Sequence, residues 1–357
     1  MKNNSNHIAL PLVLKVKRNG CSDYEYNLPE STSIYSKSIS SLQLESLLNE
    51  SDEHCFEDGD LLVVQNSKSI RKIFSAGSKH NSLFITNNCN QECIFCPQPP
   101  IACKDYDYYY SLNTRLVQLL PKDLNTIGIT GGEPTLLGDR LYELLKYINK
   151  LLPATVIQML TNGLYFKEYS QINKLAGVDC DKLVLGIPFY SHIPSVHNRI
   201  VNAKVYFGLL DSLFNLASNN NQIELRIVIN RFNYSHLYEL AQFIYKNFPF
   251  VIHVAFMGME LMGYAKTNSE EVWVDTKEYI NELCDTVTFL DMNNFYVSIY
   301  NLPLCLLPEE IRRFSRDSIT EWKRKYDMKC EICTAKGMCA GMFNSTFEKY
   351  RYDINPI

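Results

Sequence analysis

Ser82-Leu83-Phe84-Ile85-Thr86-Asn87-Asn88-Cys89-Asn90-Gln91-Glu92-Cys93-Ile94-Phe95-Cys96 joins two signals in one short stretch. The first part, SLFIT, is an apolar run of strand length. The second sets cysteines at 89, 93 and 96, a C-x3-C-x2-C spacing on the loop that follows. Three thiolates so close on one loop can converge on a metal centre. A saturated tetrahedral zinc takes four ligands, so a zinc knuckle here has to borrow one, with Cys103 as a candidate. A [4Fe–4S] cluster held by three cysteines instead leaves one iron open to a small molecule.

Downstream of SLFIT, strand-like runs alternate with helix-period ones. NTIGIT, ATVIQML, DKLVLGIPF, IELRIVIN and FVIHVAFM bring the candidate strands to six. Between them lie GDRLYELLKYINKLL, FKEYSQINKLA, AKVYFGLLDSLFNLA and SHLYELAQFIYKNF. This alternation predicts a parallel sheet with helical crossovers, an α/β core of the partial (β/α)6, TIM-like barrel kind. In such sheets the chemistry sits at the C-terminal strand ends. Residues 1–80 hold LPLVLKVK and DLLVVQN, the latter after an Asp58-Gly59 turn, around a Ser-rich stretch near 38–49. They predict a small strand-rich N-terminal domain, followed by a core over 81–268 and a third segment over 269–357 where the alternation stops.

Composition narrows the function classes. Of 357 residues, 46% are hydrophobic and 21% charged, which excludes disordered and fibrous classes. Lys and Arg number 35 against 39 Asp and Glu, a net charge of −4 too balanced for electrostatic capture of nucleic acid or an anionic membrane. No run is long and apolar enough to span a bilayer, and MKNNSNHIAL lacks the pattern of a signal peptide. The 12 cysteines are therefore expected in a reducing cytoplasm, as ligands or free thiols rather than six disulfides.

Other strand ends carry polar motifs. The second ends in Thr130-Gly131-Gly132-Glu133-Pro134-Thr135, where two glycines admit close backbone approach and a carboxylate can accept from an ammonium group. The third ends in Leu160-Thr161-Asn162-Gly163, equally readable as an Asn-Gly turn. After the fourth come Pro188-Phe189-Tyr190-Ser191-His192 and then His197-Asn198-Arg199. On the fifth, Arg226 and Asn230 alternate with apolar residues and so face the barrel interior. The sixth runs into Met257-Gly258-Met259-Glu260-Leu261-Met262-Gly263, whose glycines suit backbone contact with a ligand. Tyr106, Tyr108, Tyr109 and Tyr110 read as the partly exposed start of a helix or as a cleft wall. The C-terminal segment adds Cys330-Glu331-Ile332-Cys333, Cys339 and, upstream, Cys305: four thiolates, enough to saturate zinc or a second cluster.

The C-x3-C-x-aromatic-C signature, on the loop after the first strand of a β/α core, resembles that of radical S-adenosylmethionine (radical SAM) enzymes. The resemblance implies a [4Fe–4S] cluster on Cys89, Cys93 and Cys96, with SAM chelating the open iron and Phe95 beside its adenine. It makes Gly131, Gly132 and Glu133 the contacts to the methionyl amino group, Thr130 a cofactor-binding residue beside them, and Asn162 part of the cofactor cleft. Ser191 becomes a ribose candidate, without the acidic neighbour many relatives have, and Arg226 and Asn230 face the cofactor. The C-x2-C-x5-C resembles the SPASM or twitch extension, implying one auxiliary [4Fe–4S] cluster on Cys305, Cys330, Cys333 and Cys339. CIFCPQPP, GITGGEPTLLGDRL, LTNG, AFMGMELMGYA and LPLCLLPEEIRRFSRDSITEWK together resemble the His-Xaa-Ser system radical SAM maturases of the HxsC type, over about 81–343, with Pro97 as a departure.

That resemblance implies reductive cleavage of SAM to a 5′-deoxyadenosyl radical, which abstracts hydrogen from a ribosomally made precursor peptide. The implied partners are the peptide, a one-electron donor such as flavodoxin or ferredoxin, and other maturation proteins of the same system, with no nucleic acid and no membrane. No side chain is singled out as a general acid or base. Two rivals stand beside it: the same chemistry on a small metabolite or folded protein, and a non-enzymatic iron–sulfur or zinc protein. Cys21, Cys55, Cys103, Cys180 and Cys284 have no ligand spacing and read as buried free thiols.

Overall fold

A computed structural model describes residues 12–19, 23–27, 56–65, 69–350 and 352–357. The readings made for Cys21, Cys55 and the Ser-rich stretch 38–49 lie outside these residues. The chain divides into two compact units, residues 1–86 with 103–157, and 87–102 with 158–357. Among the described residues no helix is long and apolar enough to cross a membrane.

In the first unit, β1 (Leu12–Asn19), β2 (Asp23–Asn27), β3 (Leu61–Gln65) and β4 (Ser69–Phe74) form an antiparallel sheet in the order β2-β1-β3-β4. LPLVLKVK and DLLVVQN are its central strands, paired Leu12↔Val64 and Leu14↔Leu62. Period-two spacing puts Leu12, Leu14, Val16, Leu62 and Val64 on one buried face with Phe56. The expected turn forms with Gly59 at φ 89°. Beside it, buried Asp60 accepts from the backbone of Glu57 and Ala76 and pairs with Lys72 at 2.9 Å, so its charge is compensated.

The same unit holds the start of the α/β core. β5 (Ser82–Phe84) lies parallel to β6 (Thr126–Thr130), with α1 (Tyr106–Leu119) between them in sequence and α2 (Asp139–Leu151) after. Parallel pairing needs such a crossover. In α2 the apolar positions 141, 144, 145 and 148 fall on one buried stripe, with Asp139 in the first turn and Lys150 in the last, as the helix dipole favours. The tyrosines open α1, where Tyr110 donates to Glu143 at 2.9 Å.

Strand β7 (Val156–Leu160) lies where the division falls. Within the second unit, β8 (Leu183–Pro188), β9 (Gln222–Val228), β10 (His253–Met257), β11 (Val297–Tyr300) and β12 (Ser315–Arg316) pair in parallel, each with the next. The connecting helices are α3 (Tyr169–Asn173), α4 (Pro194–Val201), α5 (Tyr206–Ser218), α6 (Leu237–Asn247), α7 (Gly263–Thr267), α8 (Ser269–Val272) and α9 (Thr276–Met292). All six expected strands are present, as β5 to β10, and the core is a parallel-sheet α/β fold. The alternation expected to stop near 268 runs one unit further, through α9 and β11. VSIY is only four residues long and follows a turn at Asn294 (φ 62°), too short to read as a strand by periodicity. Beyond it come 3₁₀ turns, a small pairing of β13 (Arg324–Lys325) with β14 (Met342–Phe343), and α10 (Asn344–Lys349).

Candidate active site

The loop 87–102 is fastened by backbone rather than by regular structure. Ile94 N–H donates to Ile200 at 2.9 Å, Cys96 N–H to Cys93 at 2.9 Å, and Ile101 N–H to Asn87 at 3.0 Å. From α7, Tyr264 N–H donates to the Cys96 carbonyl at 2.8 Å, and Asn268 Nδ2 donates to the Ile94 carbonyl at 2.7 Å. Gly263 (φ 54°) lies so close that a Cβ there would sit 2.5 Å from Pro99 and 2.6 Å from the Cys96 carbonyl. Phe95 is buried and meets Tyr190 edge-to-face, centroids 5.0 Å apart, in a cluster with Met259, Leu261 and Ala265.

The donor set fits a cluster. Burial, and then the neighbouring charges of Cys96 and Cys89, push the Cys93 thiol up to about 12. Burial also raises Cys96, partly offset by the Gln98 backbone contact. Three mutually repelling thiols all ionise only if a cationic centre sits among them, and a coordinating thiol is deprotonated outright. Among the described residues no three His, Cys, Asp or Glu side chains converge as for a single ion. A cubane places its ligands on separate irons and does not ask for that convergence.

The other expected residues fall as follows. In the first unit, Gly131 (φ 148°) lies against Thr86, where a Cβ would be 2.7 Å from the carbonyl oxygen, and Gly132 N–H donates to that oxygen at 2.7 Å. Thr130 accepts from Ile85 N–H at 2.8 Å. Buried Glu133 accepts from Thr135 N–H and Oγ1 through Oε1, which caps the following turn. In the second unit, Asn162 Nδ2 donates to Asn90 Oδ1 at 2.6 Å, tying β7's end to the cysteine loop. Ser191 accepts from Ile193 N–H at the start of α4. Asn230 lies past the end of β9 and shapes the local turn, donating to Val228 O and accepting from Phe232 N–H, both at 2.9 Å.

Arg226 sits on β9 and belongs to a network not foreseen. Its guanidinium lies 2.5 Å from Glu224 Oε1 and 3.3 Å from Met257 Sδ. Glu224 Oε2 meets His253 Nδ1 at 2.7 Å, whose Nε2 meets Ser298 Oγ at 3.0 Å. Register explains the grouping: Glu224 is opposite His253, and Ala255 opposite both Arg226 and Ser298. Burial alone would raise the Glu224 carboxyl, but His253 and Arg226 outweigh it and hold the group below its ordinary value. The signal was present in IELRIVIN, since Glu224 is two residues from Arg226 and must share its face. Tyr190 was also missed: burial and then the charges of Cys93 and Cys96 raise its phenol well above the usual range, which marks it as a neighbour of the cysteines.

The second cysteine set also assembles. Cys305, Cys330, Cys333 and Cys339 line one cavity with Leu304, Tyr326 and Gly341. Burial raises Cys305 and Cys330, and the charge of Cys339 raises both further. Cys339 Sγ accepts the N–H groups of Leu304 at 3.3 Å and Gly341 at 3.4 Å, the kind of contact that favours thiolate and tunes a cluster. Four thiols around one space match the ligand count of a four-cysteine cluster rather than the tight convergence of a single-ion site. The described cysteines form no disulfide.

Residues 83–244 match the sequence profile of the Radical SAM superfamily. The chain is similar to a putative glycyl-radical enzyme activating enzyme of Methanocaldococcus jannaschii, 26% identical over 192 residues, 52% of this chain and 68% of that protein. It is similar to a probable GTP 3′,8-cyclase of Saccharolobus islandicus, 24% identical over 240 residues, 65% of this chain and 73% of that protein. Among solved structures it is similar to SuiB of Streptococcus suis, with TM-score 0.49, 15% identity, and coverage of 61% of this chain and 48% of that one. The chain thus spans about half the length of that structure.

Proposed function

We propose that a ribosomally made precursor peptide, of the His-Xaa-Ser type, is the substrate of this radical SAM enzyme, whose domain of that superfamily spans residues 83–244. The observation that carries the peptide reading is the second cysteine site, four thiols around one cavity, since an auxiliary cluster beside the radical SAM domain is the feature shared with peptide maturases in the sequence resemblance.

When bound, the first cluster and SAM supply a 5′-deoxyadenosyl radical that abstracts hydrogen from an unactivated carbon. The chain's residues do the rest. Cys89, Cys93 and Cys96 hold the cluster, and buried Phe95 and Tyr190 wall it from water. Glu133 supplies a carboxylate that can accept from an ammonium group, and Arg226, oriented by Glu224, offers a charge for a carboxylate. Cys305, Cys330, Cys333 and Cys339 hold the auxiliary cluster, and a flavodoxin or ferredoxin supplies the electron.

The similarity to a GTP 3′,8-cyclase over 65% of the chain favours a second reading, a small-molecule substrate. One assay separates them. The reconstituted enzyme is given SAM, dithionite and either a His-Xaa-Ser repeat peptide or GTP. A mass change in the peptide, matched by 5′-deoxyadenosine, supports the first reading; product from GTP alone supports the second.

A further inference from the structure

The stretch Gly258–Gly263 was read for contact with a ligand, yet both glycines face protein. A Cβ on Gly258 would lie 2.7 Å from the Asn301 carbonyl, four residues before Cys305, whereas one on Gly263 would enter the first cysteine loop. The residues between are gripped by the C-terminal segment. Thr346, fully buried, accepts from Leu261 N–H and donates to the Met259 carbonyl, both at 3.2 Å. Glu260 pairs with Lys323 at 3.0 Å. Farther along, Lys349 donates to Ser269, and Trp273 stacks on Tyr350 with centroids 4.8 Å apart and planes 1° apart. On its other side the stretch holds the first site, through Met259 and Leu261 in the Phe95–Tyr190 cluster and through the Tyr264 and Asn268 hydrogen bonds.

We propose that metal loading of the C-terminal cysteine site positions the first cysteine loop through the stretch Gly258–Asn268, with Thr346 as the positioning residue at its centre. The proposal rests on the cluster reading of both sites. The two-state element it needs is the C-terminal segment. From Glu321 to Cys339, which carries three of the four cysteines, the described chain has only 3₁₀ turns and the two-residue β13, Ala335 alone is buried, and Met328, Ile332 and Met338 are 88, 80 and 78% exposed. Such a segment buries too little to order itself, so ligand binding by its thiols supplies its folding free energy. Ordered, it carries Lys323 to Glu260 and Thr346 to Leu261; emptied, it releases them. Linkage makes the effect reciprocal: SAM bound at the first site tightens metal at the second.

The test uses the full chain, reconstituted anaerobically, with iron content and SAM affinity by equilibrium dialysis as readouts. Thr346→Val removes both hydrogen bonds at nearly constant size, and Thr346→Ser keeps the hydroxyl. Thr346→Val is expected to hold wild-type iron yet bind SAM at least about fivefold more weakly, with Thr346→Ser restoring affinity. Cys333→Ala is expected to weaken SAM binding comparably, and the double variant to be no worse than the weaker single. Wild-type affinity in Thr346→Val, or multiplied losses in the double variant, overturns the proposal. Should Thr346→Val not fold, Lys323→Gln carries the same comparison, with unchanged SAM affinity as the overturning result. A wild-type protein that holds iron but binds no SAM overturns the active-site reading itself, and this proposal with it.

Discussion

Glu224 Oε2 lies 2.7 Å from His253 Nδ1 on the neighbouring parallel strand, and its other oxygen lies 2.5 Å from Arg226. A buried carboxylate with both oxygens engaged on a parallel sheet compensates charge that the core cannot otherwise tolerate. Removing it by Glu224→Ala leaves Arg226 uncompensated, and a loss of about 3–5 kcal/mol is expected from urea unfolding. Because this carboxyl is held below its ordinary value of 4.5, its contribution is full above that value and lost as pH falls through the lower folded one. Glu224→Gln should flatten that acid-side dependence.

Buried His197 has a second, separate pH signature. Burial depresses its imidazole from 6.5 to about 4, and its Nδ1 accepts the Tyr190 N–H at 3.3 Å, which only the neutral ring can do. The unfolded chain binds this proton below 6.5 and the folded chain does not. Stability is therefore complete above 6.5 and falls by about 3 kcal/mol as pH drops toward 4. Denaturant titrations at pH 7, 5.5 and 4 check this, with His197→Asn expected to lose the step.

Gly263→Ala places a methyl against the Cys96 and Pro97 carbonyls at a left-handed φ. We expect about 1–3 kcal/mol of destabilisation and reduced iron at the first site. Gly208→Ala is the control. It lies on a helix with its nearest neighbour, Lys167, at 3.7 Å, and should be neutral or stabilise by up to about 1 kcal/mol.

Cys93→Ala should abolish SAM cleavage. Cys333→Ala should lower iron by about four per chain and keep SAM cleavage at saturating SAM while losing product. Iron assay and chromatography for 5′-deoxyadenosine read both.

Much of this was legible in the sequence, and the exceptions share a cause. Strands β5 to β10 announced themselves because buried parallel strands are near-continuous apolar runs. That Cys330, Cys333 and Cys339 line one cavity was legible from spacing, whereas Cys305 joins them only through the C-terminal turns. What stayed hidden depends on contacts remote in sequence. Ser298 reaches His253 across 45 residues, and Thr346 reaches Met259 across 87. Gly263 looked like a ligand contact because a glycine's pattern does not say whether ligand or protein fills the space beside it. Asn230 looked like a strand residue because IELRIVIN continues alternating past the point where β9 ends.

Anaerobic reconstitution, followed by iron counting and an assay for 5′-deoxyadenosine with SAM and dithionite, tests the central claim most directly. About eight irons per chain and SAM-dependent formation of 5′-deoxyadenosine are expected. Zinc in place of iron, or iron without SAM cleavage, would contradict it.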